Sequence, residues 1–180
     1  MNTHSRPANN WYVIIGASCA GKTSLVSELE RRGYTVVHES ARHFIDQEIQ
    51  KGKTIQDIRK DERLFQQHIL EMKINIEKGL NAEELTFFDR GIPDTQAFWE
   101  LYNFPPNPLL EESLRTCSYK KVFLLEKLPY APDAVRVETE EQQNKLHDLL
   151  EKAYRACGFP IMNVPAIPLV ARADFILKNL

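Results

Sequence analysis

The sequence predicts an α/β fold in which a parallel sheet carries helices on both faces. Three observations lead there. Five short runs, "WYVII", "YTVVH", "LTFF", "KVFLL" and "PIMNV", are apolar nearly throughout and are separated by stretches of helical periodicity. Strands of that composition belong to sheets buried on both sides. The first run leads directly into a glycine-bracketed turn and then into helix formers, and the third ends in Asp89. In an open α/β sheet, that end of a strand faces the ligand crevice.

The elements follow in order. Val13-Ile14-Ile15, flanked by Trp11 and Tyr12, is the first strand. A helix is expected from Lys22 to Arg32, with Leu25, Val26 and Leu29 on its buried face and Gly33 as its stop. Tyr34–His38 is a strand, and 40–50 a helix buried through Ala41, Phe44, Ile45 and Ile49. Thr54 and Asp57 open a single long helix running to Lys78, with Ile55, Ile58, Leu64, Phe65, Ile69, Met72 and Ile76 as its apolar positions. Leu85–Phe88 is a strand that ends at Asp89, and Pro93–Tyr102 a helix. "NFPPNP" breaks the chain before a helix over 109–117. Lys121–Leu125 is a strand, 127–138 a polar loop, and 139–157 a helix stopped by Gly158. A strand over 160–164 and a helix over 168–179 complete the pattern. Residues 1–10 are expected to be a flexible tail and 11–180 a single domain.

Composition narrows the function classes. A formal charge of −2 gives no whole-molecule attraction to nucleic acid or to acidic membranes. No apolar run approaches the length of a membrane span. Three scattered cysteines form no CxxC pair, and five histidines show no metal-ligand spacing. A reducing, cytoplasmic setting is expected.

The chemistry-bearing stretch is Gly16-Ala17-Ser18-Cys19-Ala20-Gly21-Lys22-Thr23, which fits G-x-x-x-x-G-K-[ST] between a strand and a helix. Its glycines let successive backbone N–H groups turn inward on phosphate oxygens, and the helix start adds partial positive charge. Lys22 is expected on the β- and γ-phosphates, Thr23 on Mg²⁺, and Ser24 beside them. Asp89 is expected to ligate Mg²⁺ or, as an alternative to Glu39, to accept the proton of an attacking hydroxyl; the other reading is a turn cap. "HESAR" places Glu39 at a strand end and Arg42 one helical turn on. They suit proton acceptance from a hydroxyl and oxyanion binding, and suit an ordinary helix start equally well. Arg136, in the polar loop, is either a lid arginine that neutralises a transferring phosphoryl group or an exposed loop residue. Arg90 and Asp94 follow Asp89 closely enough to reach an acceptor.

With these motifs in place, the chain resembles the NadR-like AAA/ATPase domain family of P-loop proteins. The likeness runs over about residues 11–178 through "GASCAGKT", "HESARHFI", "FFDRGIPDTQAF", "KVFLLEKLPYAPDAVRVETEEQ" and "GFPIMNVP…ARADFIL". The resemblance implies a P-loop NTPase three-layer sandwich with a five-stranded sheet of order 2-3-1-4-5, and ATP or GTP bound with Mg²⁺. It also implies roles for Lys22 and Thr23 as P-loop ligands, Asp89 as the strand-end acid, Glu39 and Arg42 as an E-x-x-R pair, and Arg136 as the lid arginine. Riboside kinases of the family tend to carry a second acid two places after the strand-end aspartate, where this chain has Gly91. The expected activity is phosphoryl transfer from ATP or GTP to a small hydroxyl acceptor such as a nucleoside, with no nucleic-acid partner. The alternative is a nucleotide-dependent switch with a protein or lipid partner, weakened by the lack of an N/T-K-x-D motif.

Overall fold

The structure, a computed structural model, describes residues 8–16, 20–126 and 140–180. In chain order its elements are β1 (Trp11–Ile15), α1 (Lys22–Arg31), β2 (Thr35–Val37), α2 (Ser40–Gln50), α3 (Ile55–Ile58), α4 (Glu62–Gly79) and β3 (Thr86–Asp89). Then come α5 (Ile92–Leu101), α6 (Pro108–Thr116), β4 (Lys121–Leu125), α7 (Glu140–Ala156), β5 (Ile161–Val164) and α8 (Leu169–Lys178). The five strands are all parallel and ordered β2-β3-β1-β4-β5. This is the three-layer arrangement and strand order expected.

Alternation along β1 divides the core. Trp11, Val13 and Ile15 point to one face, where they join Phe88, Val122, Leu124, Leu146 and Tyr154. Tyr12 and Ile14 point to the other, against Leu25, Leu29, Phe87, Phe123 and Ile176. One layer is therefore built from α4–α7 and the other from α1 and α8. Side chains pointing alternately up and down a strand require this division. The central strands are buried along nearly their whole length, whereas the edge strands β2 and β5 are half-covered. A third cluster, Ile45, Phe65 and Ile69, joins α2 to α4.

Three local expectations are corrected. The long helix from Thr54 is two helices. Thr54 and Asp57 close a reciprocal capping box on α3, and Asp61 then starts α4 anew by accepting from Leu64 N at 2.9 Å. A second N-cap inside one periodic stretch restarts the helix and resets which face is inward. Leu64, expected in the core, is accordingly exposed, while Lys73 is buried; Ile49, expected in the core of α2, is exposed as well. The expected tail is also shorter: Asn9 Nδ2 donates to Ser118 O at 2.5 Å, and Asn10 N donates to Ala82 O at 2.8 Å. Residues 1–7, Ala17, Ser18 and Cys19, and 127–139, which include the stretch expected to be a polar loop, lie outside the described residues.

Candidate functional site

The parallel register brings the ends of β1 and β3 together. Ile14 pairs with Asp89, so the carboxylate stands level with the last residues before Gly16. Gly21 precedes α1 at φ 81, a left-handed turn that glycine makes without steric cost. Lys22 is buried at the first position of α1, and its Nζ donates to the Gly16 carbonyl at 3.0 Å. Thr23 and Ser24 on the same first turn are exposed. From the far end of the chain, Arg172 on α8 donates from Nη1 to Ala20 O at 2.7 Å. In a trans peptide the N–H opposes the C=O, so this bond turns the Gly21 N–H away from α8.

Asp89 is 2% exposed, and neither carboxylate oxygen has a hydrogen-bond partner among the described residues. A buried carboxylate in that condition is costly unless something cationic or a donor reaches it. Burial, followed by the nearby charge of Glu39, pushes its pKa up to about 6, against the opposing pull of Lys22 and Arg90. Burial, followed by Arg90, lowers the Lys22 ammonium to about 8. The two open oxygens of Asp89 and the exposed Thr23 hydroxyl are hard oxygen ligands, the kind Mg²⁺ takes. No cluster of three acidic, histidine or cysteine side chains able to hold a metal occurs among the described residues. A Mg²⁺ held here would therefore depend on water and phosphate for the rest of its shell, as that ion normally does.

Beside this pair lies the second half of the site. Glu39, at the entry to α2, keeps its side chain 22% exposed and accepts from Arg90 Nε at 3.0 Å. Burial alone would raise the Glu39 pKa, but Arg90 and Lys22 overcome it and hold the carboxyl below its usual range. Arg42, one turn further, is exposed on α2. Arg90 is buried and also donates from Nη1 to Asp94 Oδ1 at 2.9 Å, with its guanidinium 5.7 Å from the Phe98 ring centre. Asp94, read from the sequence as an acceptor contact, has no exposed surface. Its Oδ2 takes the Gly91 N–H at 2.9 Å and the Tyr154 hydroxyl at 2.5 Å. The fold therefore gathers Lys22, Glu39, Asp89 and Arg90 at one crevice and puts Asp94 behind them. Arg136 lies outside the described residues.

Sequence reasoning missed Lys73, Glu77, Tyr119, Tyr154 and Arg172. Lys73 was legible in principle: it continues the buried stripe Phe65-Ile69 at helical spacing, and a lysine on an apolar stripe must find a polar partner there. The others needed the third dimension, because their partners are distant in sequence.

Comparison with known proteins agrees with this architecture. Residues 11–172 match the family model described as AAA domain. No curated protein matches the chain. Among solved structures, deoxyadenosine kinase from M. mycoides, with products dCMP and dCDP bound, superposes with a TM-score of 0.65 at 18% identity, over 94% of this chain and 97% of that one. Thymidylate kinase from Candida albicans gives 0.66 at 15% identity, over 96% of this chain and 91% of that one. The NadR protein in complex with NR gives 0.64 at 18% identity, over 87% of this chain and 44% of that one. At such identities the likeness is one of fold, and it is the fold of nucleoside and nucleotide kinases. Since the family match spans nearly all of the sheet and its helices, the chain belongs to the AAA domain family of P-loop proteins.

Proposed function

We propose that this chain is a Mg²⁺-dependent kinase that transfers the γ-phosphoryl group of ATP or GTP to a hydroxyl of a small acceptor such as a nucleoside. The observation that carries the reading is Asp89: a buried carboxylate with both oxygens open, level with the glycine-lysine turn and flanked by Lys22. Phosphates would lie in the turn 16–23, with Lys22 and the first-turn N–H groups of α1 on their oxygens. Thr23 and Asp89 would hold Mg²⁺, which when bound offsets charge on the β- and γ-phosphates.

The acceptor would enter on the Glu39 side. Glu39 is the more exposed of the two crevice carboxylates and is held ionised, which suits it to accept the hydroxyl proton; Asp89 is left for the metal. Arg90 orients Glu39 and, with Arg42, offers guanidinium donors to the acceptor, while Asp94 braces Arg90 from behind. Arg136 is assigned to the transferring phosphoryl group as a lid arginine. Positioning and electrostatics supply most of the acceleration. No helix among the described residues is long and apolar enough to cross a membrane, and we assign the protein to the cytoplasm.

The test is incubation of the full chain with Mg-ATP or Mg-GTP and a pooled nucleoside and metabolite library. Mass spectrometry then searches for products heavier by one phosphoryl group. A product that disappears in Lys22→Ala supports the kinase and names its acceptor. Nucleotide binding with slow hydrolysis and no such product overturns it.

A further inference from the structure

Behind the crevice lies a buried polar knot whose Lys73, Glu77, Tyr119 and Tyr154 have no part in the mechanism above. Arg90 sits at φ 74, a left-handed backbone that a long side chain adopts only when its surroundings impose it. The surroundings here are specific. Gly91 N–H is shared between Asp94 Oδ2 at 2.9 Å and the Tyr154 hydroxyl at 3.0 Å. Gly91 O accepts from Lys73 Nζ at 2.7 Å, and Ile92 N donates to the Tyr119 hydroxyl at 2.9 Å. Both peptides around Gly91 are thus clamped, and a Cβ at Gly91 would come within 2.8 Å of each tyrosine hydroxyl.

The hydroxyls are themselves fixed. Tyr119 donates to Glu77, and Tyr154 donates to Asp94 Oδ2 at 2.5 Å. Their rings pack with Phe159 at centroid distances of 5.1 and 6.1 Å, which sets how far each hydroxyl projects. From Asp94 the chain of bonds continues outward through Arg90 Nη1 at 2.9 Å and Arg90 Nε to Glu39 at 3.0 Å. Every side chain from Tyr154 to Arg90 is buried, and the chain of bonds ends in the crevice at Glu39, the most exposed member.

We propose that Tyr154 is a positioning residue: through Asp94 and the clamped Gly91 backbone it holds the Arg90 guanidinium in the orientation that presents Glu39 to the crevice. Lys73 and Tyr119 complete the clamp. If Tyr154 merely filled the core, phenylalanine would serve Arg90 equally well. The hydroxyl, which both donates to Asp94 and accepts from Gly91, is the part that acts at a distance. That Glu39 and Arg90 are the acceptor-side pair rests on the proposed kinase reading; the positioning itself is measurable without it.

The first measurement is hydrogen exchange of the Arg90 Nε–H by NMR in the ¹⁵N-labelled full chain, the signal being assigned with Arg90→Lys. In Tyr154→Phe, exchange at Arg90 should quicken about tenfold or more, as expected for a guanidinium released from a buried pair. Lys152→Ala, on the exposed face of the same helix, should leave it unchanged. Lys73→Met, which frees the Gly91 carbonyl from the other side, should reproduce the quickening, and decides the matter if Tyr154→Phe does not fold. Unaltered Arg90 exchange in the folded variants overturns the proposal.

The second measurement applies to the acceptor that the wild type phosphorylates. Tyr154→Phe should lower kcat about tenfold with the KM for Mg-nucleotide unchanged, and should add no further loss in an Arg90→Lys background. Additive losses, or a shift confined to the nucleotide KM, count against action through Arg90. A wild type that transfers no phosphoryl group defeats the kinase reading alone and leaves the exchange result to judge the positioning.

Discussion

Asp89 and Asp94 stand five positions apart on one short segment and are both buried, yet they are treated in opposite ways. Asp94 accepts from Arg90, the Gly91 N–H and Tyr154, and so is fully engaged. Asp89 accepts from nothing among the described residues. A fold can leave a buried carboxylate bare only at a cost, and it leaves this one bare at the edge where the glycine-lysine turn begins. The contrast separates a group that, under the proposed reading, is kept open for a ligand from a group used to hold its neighbours.

The contrast can be broken by mutation, beginning with the largest effect. Asp94→Ala strands Arg90 and the Gly91 N–H, and should destabilise the chain by about 3–5 kcal/mol in denaturant unfolding, the usual cost of removing one partner of a buried ion pair. Lys22→Ala acts on the open side. Under the proposed reading, it should weaken nucleotide binding about 100-fold, or ~2.7 kcal/mol, in calorimetric titration, while unfolding remains cooperative.

Glu77 sharpens the comparison through pH. Burial pushes it up to about 7, against the opposing effects of the Tyr119 hydrogen bond and Lys73. Its folded pKa lies above its unfolded one, so the stability it contributes is complete below about 4.5 and is lost as pH rises through about 7. Between pH 5 and pH 8 the wild type should therefore lose about 2 kcal/mol relative to Glu77→Gln, measured by unfolding at both pH values. An equal pH dependence in the two proteins would show that the knot holds Glu77 in one charge state throughout.

The smallest effect has the opposite sign. Asp89→Asn removes a bare buried charge and should stabilise the fold by about 1 kcal/mol, as relief of an unpaired buried group commonly does. The same variant should lose the Mg²⁺-dependent gain in nucleotide affinity. A destabilised Asp89→Asn would mean that Asp89 is partnered within the protein and that the two aspartates are alike after all.

The candidate site is legible in the sequence as far as consecutive residues carry it. The glycine-lysine turn is a local backbone device, and Asp89 follows an apolar strand directly, so neighbouring residues alone are enough to place both at the crevice end of the sheet. The same reading misassigned Asp94, because nothing in "DRGIPDT" shows that Tyr154 and Arg90 enclose it. It missed the break at Asp61 because the apolar spacing continues across a second N-cap. Arg172 could not be found at all, since its partner Ala20 lies 152 residues away.

By itself, then, the sequence determined the α/β class, the sites of its strands and the place of the glycine-lysine turn between β1 and α1. Each depends on periodicity and backbone chemistry within a few neighbouring residues. Tertiary structure alone decided which charges at the crevice stay open and which are spent on one another. Whether a buried carboxylate is bare or braced depends on donors that arrive from other elements, and parallel strands joined by long crossovers bring those donors from far along the chain.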